Sequence, residues 1–269
     1  MGRNEHPSRC QRISCDCANN IAAAWIIKGH AVLESNHSIL GLVPGDRALV
    51  IAPHPDDETI GPGGTIARLA ADRIEVHVLC VTVRSAPMWG GRSDPATRTQ
   101  EFEKACAALG VTSSAIAWVD ETGELDISNR RRALVDLIER HEVASLAAVR
   151  PQALFIPSAS GFHQDHQAVH AAAFAAARAQ PPGLKPTSHL VLGYRGAEER
   201  WSSHNEPWWL HVDTSNYWHA KEEALRAYGT QMRTAGPRSI RQIQLMDAAA
   251  GSSLSWEYAE SFVPYRIAC

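Results

Sequence analysis

Apolar runs alternate with amphipathic segments along most of the chain. The short runs are apolar almost throughout and rich in β-branched residues, which predicts buried strands, whereas the segments between them repeat apolar residues at helical spacing. Buried strands separated by helices predict a parallel sheet covered on both faces. We therefore expect an α/β fold, a three-layer sandwich with a mostly parallel sheet. The segments are ALVIAP (48–53), TIARLAADR (65–73), EVHVLCVT (75–82), TRTQEFEKACAALG (97–110), AIAWVD (115–120), NRRRALVDLIERHEVASLAAV (129–149), ALFIPSA (153–159), HQAVHAAAFAAARA (166–179) and HLVLGYRG (189–196).

The first 45 residues differ from the rest of the chain. A polar lead precedes a segment that predicts a helix over Asn19 to Glu34, and the Pro/Gly turn GLVPGD follows it. Residues 46–269 contain no internal repeat, low-complexity tract or long linker. We therefore expect an N-terminal polar segment with a helix at 1–45 and a single domain with a C-terminal appendage at 46–269.

Two polar clusters directly follow predicted strands. HPDDE (54–58) comes after ALVIAP, and SGFHQDHQAVH (160–170) comes after ALFIPSA. Ligands of open parallel sheets bind at the carboxyl ends of the strands, so both clusters are expected to converge on one site. The adjacent acids of HPDDE repel one another, which indicates a compensating cation or a reaction. The alternative for each cluster is a polar turn that caps a helix.

Metal binding is the chemistry that these residue types suggest. His54, Asp57 and His166 would form a two-histidine, one-carboxylate set, which leaves a zinc ion an open position for water. Adjacent residues of an extended turn point in different directions, so one of Asp56 and Asp57 binds the ion and the other acts as general base. We assign Asp57 to the ion and Asp56 to the base, although spacing alone allows the reverse order.

The second cluster adds His163 and Asp165. A histidine beside a carboxylate is held in one orientation with its protonated form favoured, which suits a donor to a developing oxyanion. We therefore expect His163 to stabilise the oxyanion and Asp165 to orient His163. A metal ion, a base and an oxyanion donor together predict an amide or ester hydrolase.

Two other patterns give weaker signals. GPGGTIA (61–67) resembles a phosphate loop, but it does not complete GxGxxG and has no Walker lysine. We therefore expect glycines of a tight turn and of helix packing, and a nucleotide-binding protein is not favoured. His166 and His170 stand four residues apart, as in the HExxH motif of zincin proteases. HQAVH lacks the glutamate of that motif, so it is only a weak indication of a zincin.

The composition excludes several classes of function. A formal net charge of −3 provides no basic field for nucleic acid. The longest early apolar run, IAAAWII (21–27), is too short for a membrane span and lacks the flanks of a signal peptide, so we expect a cytoplasmic protein. Cys10, Cys15 and Cys17 lack the CxxC spacing of a zinc knuckle and are expected to be structural or incidental thiols. The composition is compatible with a homo-oligomer.

HPDDE and the later HxDH, His163-Gln164-Asp165-His166, resemble the PIG-L/LmbE-like family of zinc-dependent N-acetylglucosamine deacetylases. Supporting matches over residues 46–265 are Gly63-Gly64-Thr65, the RxxE segment from Arg98 to Glu101, the KxxAL stretch from Lys221 to Leu225, and Tyr258-Ala259-Glu260. The resemblance implies a Rossmann-like fold and removal of an acetyl or other acyl group from a glucosamine nitrogen. It also implies zinc held by His54, Asp57 and His166, with Asp56 as the base and His163 as the oxyanion partner.

The sequence suggests two candidate substrate contacts, Arg98 and Trp89. The resemblance makes Arg98 a candidate contact; the alternative is a surface arginine that pairs with Glu101 one helical turn away. The chain departs from the family pattern at VRSAPMWGGRSD (83–94), whose Trp89 is a second candidate, and it carries further tryptophans at 201, 208 and 209. A tryptophan rim would suit a bulky acceptor, so the sequence is similar to the branch that deacetylates glycopeptide-antibiotic pseudoaglycones. The alternatives are a deacetylase of small N-acetylglucosamine conjugates of the thiol-precursor or inositol type, and a non-catalytic carbohydrate-binding relative.

Overall fold

A computed structural model of the chain describes residues 24–27, 30–33, 39–88, 91–181, 183–196 and 207–268. The chain divides into two compact units, Met1–Val43 and Pro44–Cys269. In the first unit, strands β1 (Ala24–Ile27) and β2 (His30–Leu33) pair antiparallel. The helix predicted over Asn19 to Glu34 is therefore wrong for these residues. Tryptophan and β-branched residues favour strands, and periodicity alone does not assign so short an apolar run.

The second unit contains the main sheet and its helices. Its strands are β3 (Arg47–Ala52), β4 (Glu75–Arg84), β5 (Pro87–Met88), β6 (Gly91–Arg92), β7 (Ser113–Asp120), β8 (Ala153–Pro157), β9 (Leu190–Tyr194), β10 (Leu210–Asp213) and β11 (Ala259–Ile267). Its helices are α1 (Asp57–Ile60), α2 (Gly63–Ala71), α3 (Pro95–Ala108), α4 (Arg131–Arg140), α5 (Leu146–Val149), α6 (Gln164–Ala176), α7 (Trp218–Ala227) and α8 (Ile240–Ser252). Helices separate β3, β4, β7, β8 and β9 along the chain, as the apolar pattern predicts, while β5 and β6 form a separate hairpin.

The main sheet has seven strands in the order β10-β11-β9-β8-β3-β4-β7. The strands from β9 to β7 in this order run parallel, and β11 and β10 add an antiparallel edge. The predicted α/β fold with a mostly parallel sheet is thus confirmed. The C-terminal part joins the same sheet through these two edge strands and adds helices α7 and α8.

Helices cover both faces of the central strands. Leu49 and Ile51 of β3 pack in one core cluster with Leu134 of α4 and Val169 of α6, while α2, α3 and α7 pack together elsewhere in the unit. Every residue from Ala48 to Ala52 is fully buried, as expected for a parallel strand between two helical layers. Among the described helices, none is long and apolar enough to cross a membrane.

Strand β3 lies at the switch point of the sheet. The chain leaves β3 toward β4 and β7 on one side and returns to β8 and β9 on the other. The loops that follow β3 and β8 therefore leave the sheet in opposite directions and open a crevice between them. Such crevices are where open α/β sheets bind their ligands.

Candidate metal centre

The turn after β3 holds its backbone in an unusual conformation. Asp56, the residue before α1, has φ 112°, a region that non-glycine residues rarely adopt. Its N–H donates to Glu58 Oε2 (3.2 Å), and its carbonyl oxygen accepts from the N–H of Ile60 (2.8 Å). The Tyr228 hydroxyl in turn donates to Glu58 Oε1 (2.6 Å). A strained residue fixed by this many contacts is typical of a functional site.

The loop after β8 brings the second cluster to the same place. His163 precedes α6, and its Nδ1 accepts a hydrogen bond from the N–H of Asp165 (3.1 Å). This cap sets Asp165 and His166 in the first turn of the helix. The ring centroid of His54 lies 5.1 Å from that of His163 and 5.5 Å from that of His166. The two loops therefore meet at one edge of the sheet.

Asp57 lies between two histidines. Its Oδ2 is 3.4 Å from His54 Nδ1 and 3.2 Å from His166 Nε2, and the donor atoms of the three residues lie within 4.8 Å of one another. Ligands at about 2.0–2.2 Å from a tetrahedral zinc ion are themselves about 3.3–3.6 Å apart. The two spacings from Asp57 are close to this range, and the set could hold a metal ion.

Asp165 contacts the first histidine of the same set. Its Oδ2 lies 2.9 Å from His54 Nε2, which leaves Nδ1 of the ring directed at Asp57. A carboxylate on the second nitrogen of a ligand histidine fixes the ring and its tautomer. Burial opposes a charge on His54, but Asp165 and Asp57 outweigh it and raise the pKa of His54 to about 9. The two carboxylates therefore favour the protonated form of this ring.

A second donor set, His54, His163 and Asp165, also lies within reach of one ion. One of its atoms has a backbone partner, however, and two others lie closer together than two ligands of one zinc ion. His163 Nδ1 accepts the backbone N–H of Asp165 and is 4.0 Å from its Oδ2, and that same Oδ2 contacts His54 Nε2. We therefore favour the set that contains Asp57 and His166.

The structure changes the expected relation between Asp165 and His163. The Asp165 carboxylate contacts His54 rather than His163, so the predicted orienting contact is replaced by the backbone N–H of Asp165. Burial and the neighbouring His54 and His166 lower the pKa of His163 to about 4, so the prediction that its protonated form is favoured is wrong. Because Nδ1 accepts a hydrogen bond, the proton of the neutral ring lies on Nε2 and remains available to an oxyanion.

Asp56 lies beside the donor set and is almost fully buried. Arg238 Nη1 donates to its Oδ2 at 2.7 Å. Burial raises the pKa of Asp56, although Arg238 opposes the shift, and a carboxyl with a raised pKa is a stronger base. No sequence signal pointed to Arg238, which lies 182 residues from Asp56 in a loop without any motif.

A cavity of about 620 Å³ opens in front of the site. Arg98 of α3 lines it and donates to the carbonyl oxygen of Pro55. Glu101 instead accepts two hydrogen bonds from Thr230, at 2.7 Å each. The alternative Arg98–Glu101 pair is therefore not observed between these described residues. The described lining residues are His54, Pro55, Asp56, Thr82, Val83, Arg84, Ala86, Pro87, Ser93, Arg98, His163, Gln231, Arg233 and Arg238. No tryptophan is among them; Trp89 and Trp201 lie outside the described residues.

The glycine-rich segment packs rather than binds phosphate. Glu260 of β11 accepts the N–H groups of Gly64 and Thr65 at the start of α2, at 2.7 Å each. The anion position of this helix is thus filled by the protein's own carboxylate. A Cβ at Gly64 would lie 2.9 Å from Thr214 Cβ, which confirms a glycine required by close packing. Lys221 is fully buried and donates to Glu260 (2.6 Å) and Asp247 (2.8 Å).

Fold and site together define an α/β protein with a candidate hydrolytic metal centre at its switch point. Residues 49–177 match the PIG-L family, described as GlcNAc-PI de-N-acetylase. The chain is 30% identical over 237 residues to 1D-myo-inositol 2-acetamido-2-deoxy-alpha-D-glucopyranoside deacetylase 1 of Saccharopolyspora erythraea, covering 70% of this chain and 78% of the relative. It therefore belongs to the PIG-L family, and its expected class of enzyme, an N-deacetylase, is confirmed.

Further similarities support this assignment. The probable N-acetyl-alpha-D-glucosaminyl L-malate deacetylase 2 of Bacillus cereus is 28% identical over 230 residues, 82% of this chain and 98% of the relative. The conserved protein TT1542 of Thermus thermophilus has a TM-score of 0.63 at 28% identity, over 80% of this chain and 93% of that one. Teicoplanin deacetylase Orf2 has a TM-score of 0.63 at 18% identity, over 81% of this chain and 97% of that one, which is a similarity of fold.

Proposed function

We propose that the chain is a zinc-dependent deacetylase that removes an acetyl, or a longer acyl, group from the nitrogen of a glucosaminyl moiety. The observation that carries the proposal is the His54, Asp57 and His166 donor set with the buried Asp56 carboxylate beside it. Its relatives are named as deacetylases of a glucosaminyl malate and of an inositol glucosaminide, which supports this substrate class.

In this proposal His54, Asp57 and His166 hold the ion. Zinc, when bound there, supplies Lewis acidity that polarises the amide carbonyl and acidifies water. Asp165 keeps His54 in the orientation that presents Nδ1, through the 2.9 Å contact with Nε2.

Asp56 acts as the general base. Its Oδ2 is held by Arg238 at 2.7 Å, so we assign the proton transfer to Oδ1. This oxygen accepts a proton from the attacking water and later delivers it to the nitrogen of the leaving amine. The strained backbone of Asp56, fixed by Glu58, holds the carboxylate in one direction.

His163 stabilises the charge that develops on the amide oxygen. The backbone N–H of Asp165 occupies Nδ1, so the ring donates from Nε2. The side chain is 39% exposed and lines the cavity, which leaves it accessible to a bound substrate. Arg98, which lines the same cavity, is proposed as a contact to the sugar.

An acetate-release assay tests the proposal. The zinc-loaded protein should release acetate from N-acetylglucosaminides, and the chelated protein should not. A chain that binds zinc without releasing acetate from such conjugates would instead be a non-catalytic carbohydrate-binding relative. A glycopeptide pseudoaglycone belongs in the same panel, because that acceptor stays a prediction from the sequence.

A further inference from the structure

We propose that Tyr228, the residue that follows α7, is a positioning residue for the general base. Its hydroxyl holds Glu58, and Glu58 in turn holds the backbone of Asp56 in the conformation from which the carboxylate projects. The inference rests on the proposed deacetylase function and adds a remote residue to it. Tyr228 is not among the described residues that line the cavity, so it acts on the rate without touching the substrate.

The backbone of Asp56 requires support from outside its own turn. Its φ of 112° and ψ of −25° lie where residues other than glycine rarely occur, and such a conformation persists only when the surrounding contacts determine it. Helix α1 begins at the next residue and has four residues, too few to be stable by itself. The side chain leaves from the same Cα, so a relaxed backbone would turn the carboxylate away from its present direction.

Glu58 supplies that support. Its Oε2 accepts the N–H of Asp56 at 3.2 Å, while its Oε1 accepts two hydroxyls, from Thr59 at 2.5 Å and from Tyr228 at 2.6 Å. Thr59 belongs to the same short helix as Glu58 and moves with it. Tyr228 instead ties the carboxyl group to a segment 170 residues later in the chain, which fixes the turn relative to the rest of the fold.

Tyr228 is itself held in place by its own segment. It is fully buried, and its carbonyl oxygen accepts the N–H groups of Gln231 (3.0 Å) and Met232 (2.9 Å). Two residues later, the N–H and the hydroxyl of Thr230 both donate to Glu101 of α3, at 2.7 Å each. A hydroxyl on so constrained a backbone gives a fixed reference point for the turn after β3.

The hydroxyl of Tyr228 is a permanent donor. Burial and the neighbouring Glu58 raise the pKa of Tyr228 well above its usual value, so the hydroxyl keeps its proton. The segment after Tyr228 also carries Arg238, which donates to Asp56 Oδ2 at 2.7 Å. One segment of the chain thus holds both the backbone and the carboxylate of the base.

Tyr228→Phe tests the inference with little disturbance. The substitution keeps the buried ring and removes the hydroxyl that holds Glu58. We expect kcat to fall about 10- to 100-fold, because a displacement of about 1 Å at a reacting group costs up to roughly 100-fold. KM and zinc content should stay within about twofold of the wild-type values, because the hydroxyl acts on the base alone. Acetate-release kinetics and metal analysis on the same zinc-loaded samples measure all three quantities.

Tyr194→Phe is the matched control. Tyr194 is also buried, and its hydroxyl donates to the carbonyl oxygen of Ile51 in β3 at 2.8 Å. Each variant loses a buried tyrosine hydrogen bond, so both should lower the melting temperature by a similar amount. Only Tyr228→Phe should lower kcat. A loss that arose from general destabilisation would appear in both variants.

Double variants show whether Tyr228 acts through Asp56. Residues that work as a unit have non-additive effects on kcat, whereas independent residues have additive ones. Tyr228→Phe should therefore change kcat little in an Asp56→Asn background, and it should keep its full effect beside His163→Ala. Mass-spectrometric detection of the free amine over long incubations measures these low rates.

Glu58→Gln tests the intermediate residue. An amide has a single acceptor oxygen, so it can satisfy either the Tyr228 hydroxyl or the Asp56 N–H, but not both sides at once. Its kcat should fall by a similar factor, and addition of Tyr228→Phe should lower it little further.

The outcomes separate two kinds of failure. An unchanged kcat in Tyr228→Phe, a loss of its zinc, a kcat loss that Tyr194→Phe shares, or a full effect in the Asp56→Asn background would overturn the inference and leave the deacetylase function standing. Failure of the zinc-loaded wild-type protein to release acetate from any N-acetylglucosaminide would overturn the proposed function and the inference with it.

Discussion

Asp165 binds Nε2 of His54 at 2.9 Å, while Nδ1 of the same ring faces Asp57 at 3.4 Å. The two loops of the site are thus joined through one imidazole. A carboxylate in this position tunes a ligand histidine without touching the ion itself.

The first prediction follows from this contact. Asp165→Ala should weaken zinc binding about 10- to 100-fold, because His54 loses the group that fixes its ring. Competition with a chelator of known affinity measures the change. Asp136→Ala, which removes an exposed carboxylate of α4, is the control and should bind zinc normally. Equal zinc affinity in the two variants would exclude the supporting role of Asp165.

Asp56→Asn should separate metal binding from turnover. The substitution removes the base. General-base catalysis contributes roughly 10²- to 10⁴-fold to the rate, so kcat should fall by roughly that factor. Zinc content should stay close to the wild-type value, because Asp56 is outside the favoured donor set. Metal analysis and acetate release on the same samples test both parts. Loss of zinc along with activity would mean that Asp56 is itself a ligand.

His163→Ala should lower kcat about 100- to 1,000-fold with little change in zinc content. The neutral ring is the donor in this proposal, and the pKa of His163 is lowered to about 4. His163→Gln, which keeps a hydrogen-bond donor, should recover part of the loss. If His163→Ala releases zinc instead, the alternative donor set with His54 and Asp165 is the correct one.

Lys221→Met should destabilise the second unit. The change leaves the Asp247 and Glu260 carboxylates buried without their shared cation, which costs about 3–5 kcal/mol in free energy of unfolding. Denaturant titration measures this difference. Lys104→Met, at an exposed position of α3, is the matched control and should stay within about 0.5 kcal/mol of wild type.

The sheet and the meeting of the two polar clusters at its edge could be predicted from the sequence. Parallel strands buried on both faces leave continuous apolar runs, and the polar clusters after ALVIAP and ALFIPSA stand at the strand ends where ligands bind. The resemblance to the PIG-L family depended mainly on the same two clusters. These are local signals, because strand, turn and helix start lie within a few residues of one another.

Partners that come from distant segments left no such signal. The Arg238–Asp56 pair spans 182 residues, and Asp165 meets His54 across 111 residues. Spacing predicted that Asp165 would orient its near neighbour His163, yet the fold supplied a nearer partner. The strands at Ala24–Ile27 and His30–Leu33 were missed for another reason, since short apolar runs fit either period.

The Glu260 contact makes the site depend on two remote parts of the sequence. The carboxylate that closes the first turn of α2 comes from a strand 196 residues later than Gly64. A fragment that stops before β11 would keep every proposed zinc ligand and the base, yet it would expose the start of α2 beside them. Shortened versions of this enzyme are therefore expected to contain the complete set of active groups without the scaffold that aligns them.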